Sequence, residues 1–173
     1  MARLSLIFNL QKTCMRNLLW TILLLLANRG ALAQDKSVDR TTFYQAIRQD
    51  KKDLINNQLK KLKAVSPGIR QAFEGAMIMK KAGIGGNPIT KLNLFKQGHK
   101  ELEAAIKKEP DNAEFRFLRL IIQENSPGFL GYKDNLEGDS EYIRKSYKSL
   151  PGEVQRAIAD YNKKSKVLKL QVS

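Results

Sequence analysis

Apolar residues recur at spacings of three and four along most of the chain after position 40, and no stretch alternates strictly with period two. Such spacing places apolar side chains on one face of an α-helix. Asn, Asp, Ser, Pro and Gly fall between the periodic stretches, where helix ends are expected. The pattern predicts an all-α domain of antiparallel helix pairs, with six or seven helices in a right-angle or small-bundle arrangement.

Three helices are expected in the first half of this pattern. Asp50 has the character of an N-cap for the second helix. Ser66 followed by Pro67 is typical of a helix start, and the third helix is predicted over 67–82 with a stop at Gly83. The apolar positions of these helices are Phe43, Ala46, Ile47, Ile55, Leu59, Leu62, Ala72, Phe73, Ala76 and Met77.

A long fourth helix and an apolar fifth helix follow. The fourth is expected to begin at Asn87 and Pro88 and to end near Lys108. The fifth is expected to begin at Asp111, with a capping-box-like start, and to run through Glu124. Because its polar stripe is narrow, we expect it to be the most buried helix.

Two further helices complete the pattern. A break at Gly138 is expected in the sixth, which carries Leu136 and Ile143, and Pro151 opens the seventh. The lysine-rich tail from about Lys163 is expected to fray.

The N-terminal segment has the pattern of a secretory signal peptide. Residues Leu18–Ala27 contain one polar residue, basic residues precede them, and Ala31 and Ala33 have the small side chains of a cleavage site. A membrane-spanning helix needs about 20 apolar residues, which this run does not reach. We predict cleavage after Ala33, a signal peptide over 1–33, a single domain over 34–173, and a periplasmic or secreted product. Whether translation starts at Met1 or Met15 stays open.

Cysteine usage limits the chemistry of the predicted domain. The only cysteine, Cys14, and the only tryptophan, Trp20, both lie in the leader. Disulfides, a thiol nucleophile and cysteine metal sites are therefore excluded for 34–173. A lipid anchor is not expected, because no cysteine follows Ala33.

The end of the fourth helix resembles part of a tetratricopeptide repeat. Gly98, Leu102, Ala105 and Pro110 have the spacing of that repeat's second helix. A second copy at the 34-residue period is absent from the sequence, so the resemblance implies helix pairs and not an array.

A second resemblance concerns the stretch RFLRLIIQENSPGFLGYKDN. It is similar to a segment of small, uncharacterised exported helical proteins of bacteria. This resemblance implies a bacterial envelope context and no activity.

The sole histidine, His99, lies on the apolar stripe of the fourth helix. It is either a core or boundary residue, or a general base or metal ligand. Zinc needs three or four ligands, and no other His and no Cys exists in 34–173. No G-x-S-x-G occurs, and the loop Gly83–Asn87 is not a phosphate loop. We therefore expect no catalytic residue, metal or cofactor.

Acidic residues gather at Asp134, Glu137, Asp139 and Glu141. Their spacing does not match an EF-hand loop. We expect them to be solvated carboxylates in the first turn of the sixth helix.

Positive charge is concentrated at the C-terminal end of a chain whose net charge is +14. Residues 144–169 carry eight basic and two acidic side chains. This end suits anionic lipid headgroups, lipopolysaccharide, acidic glycans or an acidic protein face, or it is simply a solvated face. Nucleic acid is not expected as a partner of an exported protein. The residues expected to contact an anionic surface are Arg144, Lys145, Lys148, Lys163, Lys164 and Lys166.

The loop after the fifth helix places Phe129, Leu130 and Tyr132 among glycines. These side chains either form a recognition loop or fold back over the core. Arg116 and Arg119 either hold a ligand carboxylate bidentately or tie together the domain's own loops. These five residues are the candidate binding residues.

The sequence thus predicts an exported, non-catalytic helical module of the bacterial envelope that binds a protein or peptide partner. The alternative is an electrostatic binder of anionic surfaces through the basic C-terminal segment. A hydrolase that uses carboxylates and His99 is a third possibility. The identity of the partner and the oligomeric state stay open.

Overall fold

The computed structural model describes residues 37–171, which belong to one compact unit. The predicted signal peptide, with Cys14, Trp20 and Met15, lies outside the described residues. Within 37–171 the chain forms seven α-helices and no strand, which confirms the all-α prediction. None of these helices is both long and apolar enough to cross a membrane. The helices are α1 (Arg40–Arg48), α2 (Lys52–Leu62), α3 (Pro67–Ile84), α4 (Pro88–Lys108), α5 (Ala113–Asn125), α6 (Leu136–Ser146) and α7 (Gly152–Asn162).

The N-cap of α2 differs from the prediction. Lys51 occupies the cap position, and no side chain caps the helix. The carboxylate of Asp50 instead lies 2.6 Å from the ammonium group of Lys80 on α3. The prediction of Asp50 as N-cap was wrong because this carboxylate pairs with a different helix.

Two glycines that were expected to mark helix boundaries lie inside helices. α3 continues through Gly83 to Ile84, and α6 runs through Gly138 without a break. Glycine in a helix interior costs only about 1 kcal/mol, which packing of the neighbouring turns readily exceeds. A 3-10 turn over Tyr147–Ser149 follows α6.

The N-cap of helix α5 lies one residue after Asp111, the predicted start of this helix. Its N-cap is Asn112, whose side-chain oxygen accepts hydrogen bonds from the backbone N–H groups of Glu114 and Phe115. The Glu114 carboxylate accepts hydrogen bonds from Arg40 and Tyr44 and so binds α5 to α1 instead of closing a capping box. All but three residues of α5 are buried, and the helix lies at the centre of the domain.

Helices α3 and α4 run antiparallel and pack in backbone contact. A Cβ atom built on Gly98 would lie 2.5 Å from the carbonyl oxygen of Gly75 and 2.9 Å from the backbone nitrogen of Met79. A Cβ atom on Gly75 would lie 2.7 Å from the backbone nitrogen of Leu102. The two helices therefore touch backbone to backbone, and only glycine fits at this crossing.

The C-terminal segment is packed against the domain, which corrects the expectation that it frays from Lys163. Leu168 is fully buried. The Asn162 side chain exchanges two hydrogen bonds, both 2.8 Å, with the backbone of Leu170. Glu124 on α5 accepts a hydrogen bond from Ser165. The apolar residue among the lysines holds this segment in place.

We expect Gly98→Ala to destabilise the domain by about 3 kcal/mol, because the new methyl group meets backbone atoms that cannot move independently. Gly83→Ala is the matched control. It lies in α3 with no atom within 4 Å of the new Cβ, and it should stabilise the domain by roughly 0.5 kcal/mol. Denaturant unfolding followed by circular dichroism measures both changes. Equal small shifts for the two variants would contradict a close crossing at Gly98.

Candidate functional site

A pocket of about 210 Å³ opens between the N-terminal half of α4 and the loop that follows α5. We call it the aromatic groove. A short 3-10 turn over Gly128–Leu130 begins the loop side. The groove is lined by Leu92, Phe95, Lys96, His99, Leu130 and Tyr132.

Three aromatic rings form one wall of the aromatic groove. The rings of Phe95 and His99 are nearly parallel, with centroids 6.3 Å apart. The Tyr132 ring lies edge-on to both, 5.7 Å from Phe95 and 4.6 Å from His99. His99 is half-buried and forms no hydrogen bond with a carboxylate of the described residues. The sole histidine therefore contributes a flat ring surface to the groove.

Large exposed apolar side chains belong to the two elements that form this groove. Among the described residues they are Phe129, which is 87% exposed, Ile89 at 73% and Leu92 at 41%. Ile89 lies one helical turn before Leu92, and Phe129 adjoins Leu130. Exposed apolar side chains beside an apolar pocket are typical of contact sites.

The loop side of the groove is held by a hydrogen bond to a carboxylate of α4, which α5 also binds. The Tyr132 hydroxyl donates to the Glu103 carboxylate. The same carboxylate accepts from Arg119 on α5, at 2.9 Å. Tyr132 is thus buried and fixed, while Phe129 three residues earlier is open to solvent.

The guanidinium of Arg119 binds a carboxylate of the domain itself. Its Nε and Nη2 atoms donate to the two oxygens of Asp139 on α6, at 2.7 and 2.8 Å. Arg116 donates to the same carboxylate at 3.2 Å. Burial lowers the pKa of Arg119, but the hydrogen bonds and charges of Asp139 and Glu103 outweigh it and raise the pKa overall. Both candidate arginines therefore link helices, and Arg119 has no free edge for a ligand carboxylate.

Asp139 departs from the expectation of a solvated first-turn carboxylate. It is 1% exposed, whereas Asp134, Glu137 and Glu141 are exposed as predicted. The difference follows from helix geometry, since Asp139 faces α5 and its arginines while its acidic neighbours face away. Sequence spacing alone does not show which of four nearby carboxylates meets a guanidinium.

Lysines flank the α4 side of the aromatic groove. Lys96 and Lys100 follow Leu92 by four and eight residues and so lie along the same helix row. Both are exposed, and neither forms an ion pair within residues 37–171. The groove is therefore apolar at its centre and positive along one edge.

The basic C-terminal residues divide into three groups. Arg144 turns inward and donates to the carbonyl of Leu168 at 3.1 Å. Three lysines have local partners, which are Glu141 for Lys145, Asp160 for Lys163 and the Tyr161 ring for Lys164. Lys148 and Lys166 are exposed and form no ion pair with a described residue.

Comparisons with protein-family models, curated proteins and solved structures find no match to this chain. The argument for function therefore depends on the geometry of the described residues. The resemblance to tetratricopeptide repeats stays a prediction.

The sequence indicated part of the aromatic groove and missed another part. Phe129, Leu130 and Tyr132 were identified from their loop, and His99 from its uniqueness. Ile89, Leu92 and Phe95 were not identified as candidate binding residues. One feature of the sequence could have indicated their exposure. These apolar residues lie in the first turns of α4, directly after a glycine-rich loop.

Three tyrosines are expected to resist titration by alkali. Burial, followed by the charge and hydrogen bond of a nearby glutamate, raises the pKa of Tyr44, Tyr132 and Tyr161 above the ordinary value of 10.0. Below about pH 10 the phenols are neutral in both the folded and unfolded chain. Above it, only the unfolded chain loses these protons, so stability falls as pH rises.

Phenolate absorbance followed together with circular dichroism tests this prediction. We expect three of the five tyrosines to ionise only as the helices unfold. Tyr132→Phe should remove one of these delayed phenols. Ionisation of all five near pH 10, with helix content unchanged, would contradict the burial described here.

Proposed function

We propose that this protein is a non-catalytic helical module that binds a segment of a partner protein in the aromatic groove. The supporting observation is a pocket with an aromatic wall, lined in part by the exposed side chain of Leu92. Exposed Ile89 and Phe129 lie on the two elements that form this pocket. Interfaces of this kind place apolar and aromatic side chains at the centre and charged groups at the rim.

The partner segment that fits best is acidic and carries apolar side chains. Lys96 and Lys100 lie on the α4 side of the groove, and residues 34–173 carry a net charge of +10. A second copy of the chain would bring the same lysines together, which is unfavourable. In such a segment, the apolar side chain enters the centre of the groove and the neighbouring carboxylates pair with the lysines at its edge.

Three parts of the groove have separate roles in this proposal. Burying an apolar side chain of the partner between Phe95 and Leu130 contributes about 1.5 to 3 kcal/mol. The hydrogen bond from Tyr132 to Glu103 keeps the loop side in place before binding, which reduces the entropy lost on association. The lysines orient the partner and speed its approach.

Export to the bacterial envelope remains part of the proposal through the predicted leader over 1–33. Catalysis is not part of it. His99 lies against aromatic rings, and Glu103, one turn further along α4, is bound to Tyr132 and Arg119. A hydrolase using His99 and a carboxylate pair receives no support from this arrangement.

Peptides selected from a random library against the purified protein test the proposal. We expect enriched peptides to contain aromatic or aliphatic anchors next to Asp or Glu. Fluorescence anisotropy should show roughly tenfold weaker binding to Lys96→Glu, because the edge charge is reversed. The double variant Leu92→Ala with Phe129→Ala should weaken binding by a similar or larger factor.

Lys107→Glu is the matched control for the charge reversal. It is exposed on the same helix, about 16 Å along the axis from Lys96, and should bind the selected peptides as the wild type does. Enrichment of basic or purely polar peptides, or equal affinities for all variants, would contradict binding in this groove.

Binding of an anionic surface is a second candidate function, supported by the packing of the C-terminal segment against the domain. Buried Leu168 and the bonds of Asn162 hold Lys166 and its neighbours on the surface of the domain. With Lys148 also exposed, these lysines are available to lipid headgroups or acidic glycans.

Sedimentation with phosphatidylglycerol vesicles tests this second candidate. Binding should fall steeply as salt increases, and Lys148→Ala with Lys166→Ala should reduce it by roughly tenfold. The control is the double variant Lys51→Ala with Lys52→Ala, which lies at the start of α2, far in the sequence from Lys148 and Lys166. Binding that is absent, unaffected by salt or equal on phosphatidylcholine vesicles would remove this candidate.

A further inference from the structure

A second cavity, of about 400 Å³, lies between α1 and α2, and its lining differs from that of the aromatic groove. We call it the amide cleft. Its volume is within the range of about 300 to 1,000 Å³ that is usual for small-molecule sites. No aromatic side chain lines it, and carboxamides and lysines predominate.

The base of the amide cleft is fixed by a partly buried hydrogen bond. Gln58 on α2 is buried and donates from Nε2 to the Thr42 hydroxyl on α1, at 3.0 Å. The half-buried side chain of Leu54 provides an apolar surface beside this pair, above the buried Ala46. A ligand therefore meets a preformed base with both polar and apolar portions.

The rim of the amide cleft carries polar groups with free hydrogen-bonding capacity. Gln45 and Asn57 are exposed, and neither forms a side-chain hydrogen bond with another described residue. Lys60 forms no ion pair within residues 37–171, and Lys61 lies 3.9 Å from Asp39. The rim thus offers two carboxamides and positive charge.

We propose that the amide cleft binds an acidic sugar residue. A carboxamide both donates and accepts hydrogen bonds, as a sugar hydroxyl does. The C–H face of a sugar ring suits the apolar side chain of Leu54, and Lys60 suits its carboxylate. A wholly apolar ligand would leave the carboxamides without partners, at a cost in affinity.

This inference is independent of the proposed function. The amide cleft involves α1 and α2, whereas the aromatic groove involves α4 and the loop after α5. Peptide binding and sugar binding can therefore fail separately, and each experiment reports on its own site.

Titration followed by two-dimensional NMR of the amide signals tests the proposal. The probes are D-glucuronate and a short oligogalacturonate, which distinguish a free acidic sugar from a residue within a polymer. We expect saturable shifts of signals from α1 and α2 with at least one of them. Acetate and D-glucose should bind more weakly, because each has only one of the two recognised features.

Asn57→Ala and Asn56→Ala form a matched pair of variants. Both replace asparagine with a better helix former, so both should fold, and only Asn57 lines the cleft. Asn57→Ala should weaken binding roughly fivefold through loss of a hydrogen bond, and Asn56→Ala should leave it unchanged. Absence of saturable shifts with both probes, equal binding of acetate, or equal affinities of the two variants would overturn the proposal.

Discussion

The backbone contact between Gly75 and Gly98 is the constraint on which the arrangement of this domain depends. It brings α3 and α4 closer together than any side chain would permit. Because α4 packs mainly on α3, the crossing sets the direction in which the N-terminal half of α4 leaves the core. That direction places Leu92, Phe95 and His99 opposite the loop after α5, and it therefore creates the aromatic groove.

A network of charged groups holds the other side of the groove. Arg119 on α5 binds the carboxylates of Asp139 on α6 and Glu103 on α4. Tyr132 attaches the loop to the Glu103 carboxylate. The free-energy cost of removing charged groups from water offsets much of the attraction within such ion pairs. The main effect of this network is therefore on position, because each directional hydrogen bond restricts where the loop lies.

Periodicity predicted the helices well, because apolar spacing reports directly on which face is buried. The errors at Asp50, Gly83 and Gly138 arose where local signals compete with tertiary contacts, as in the pairing of Asp50 with Lys80. The same limit applies to Asp139 and Leu168, whose burial depends on residues that are distant in sequence. Glycine spacing did not reveal the α3–α4 crossing either, since a glycine within a helix has the same local pattern whether or not another helix touches it.

A nuclear Overhauser measurement between the α protons of Gly75 and Gly98 tests the central claim most directly. The arrangement described here predicts a strong cross-peak between these protons, together with cross-peaks between the rings of Phe95 and Tyr132. Absence of the glycine cross-peak in the folded protein would show that α3 and α4 are not in backbone contact. The direction of α4 and the groove that depends on it would then both be wrong.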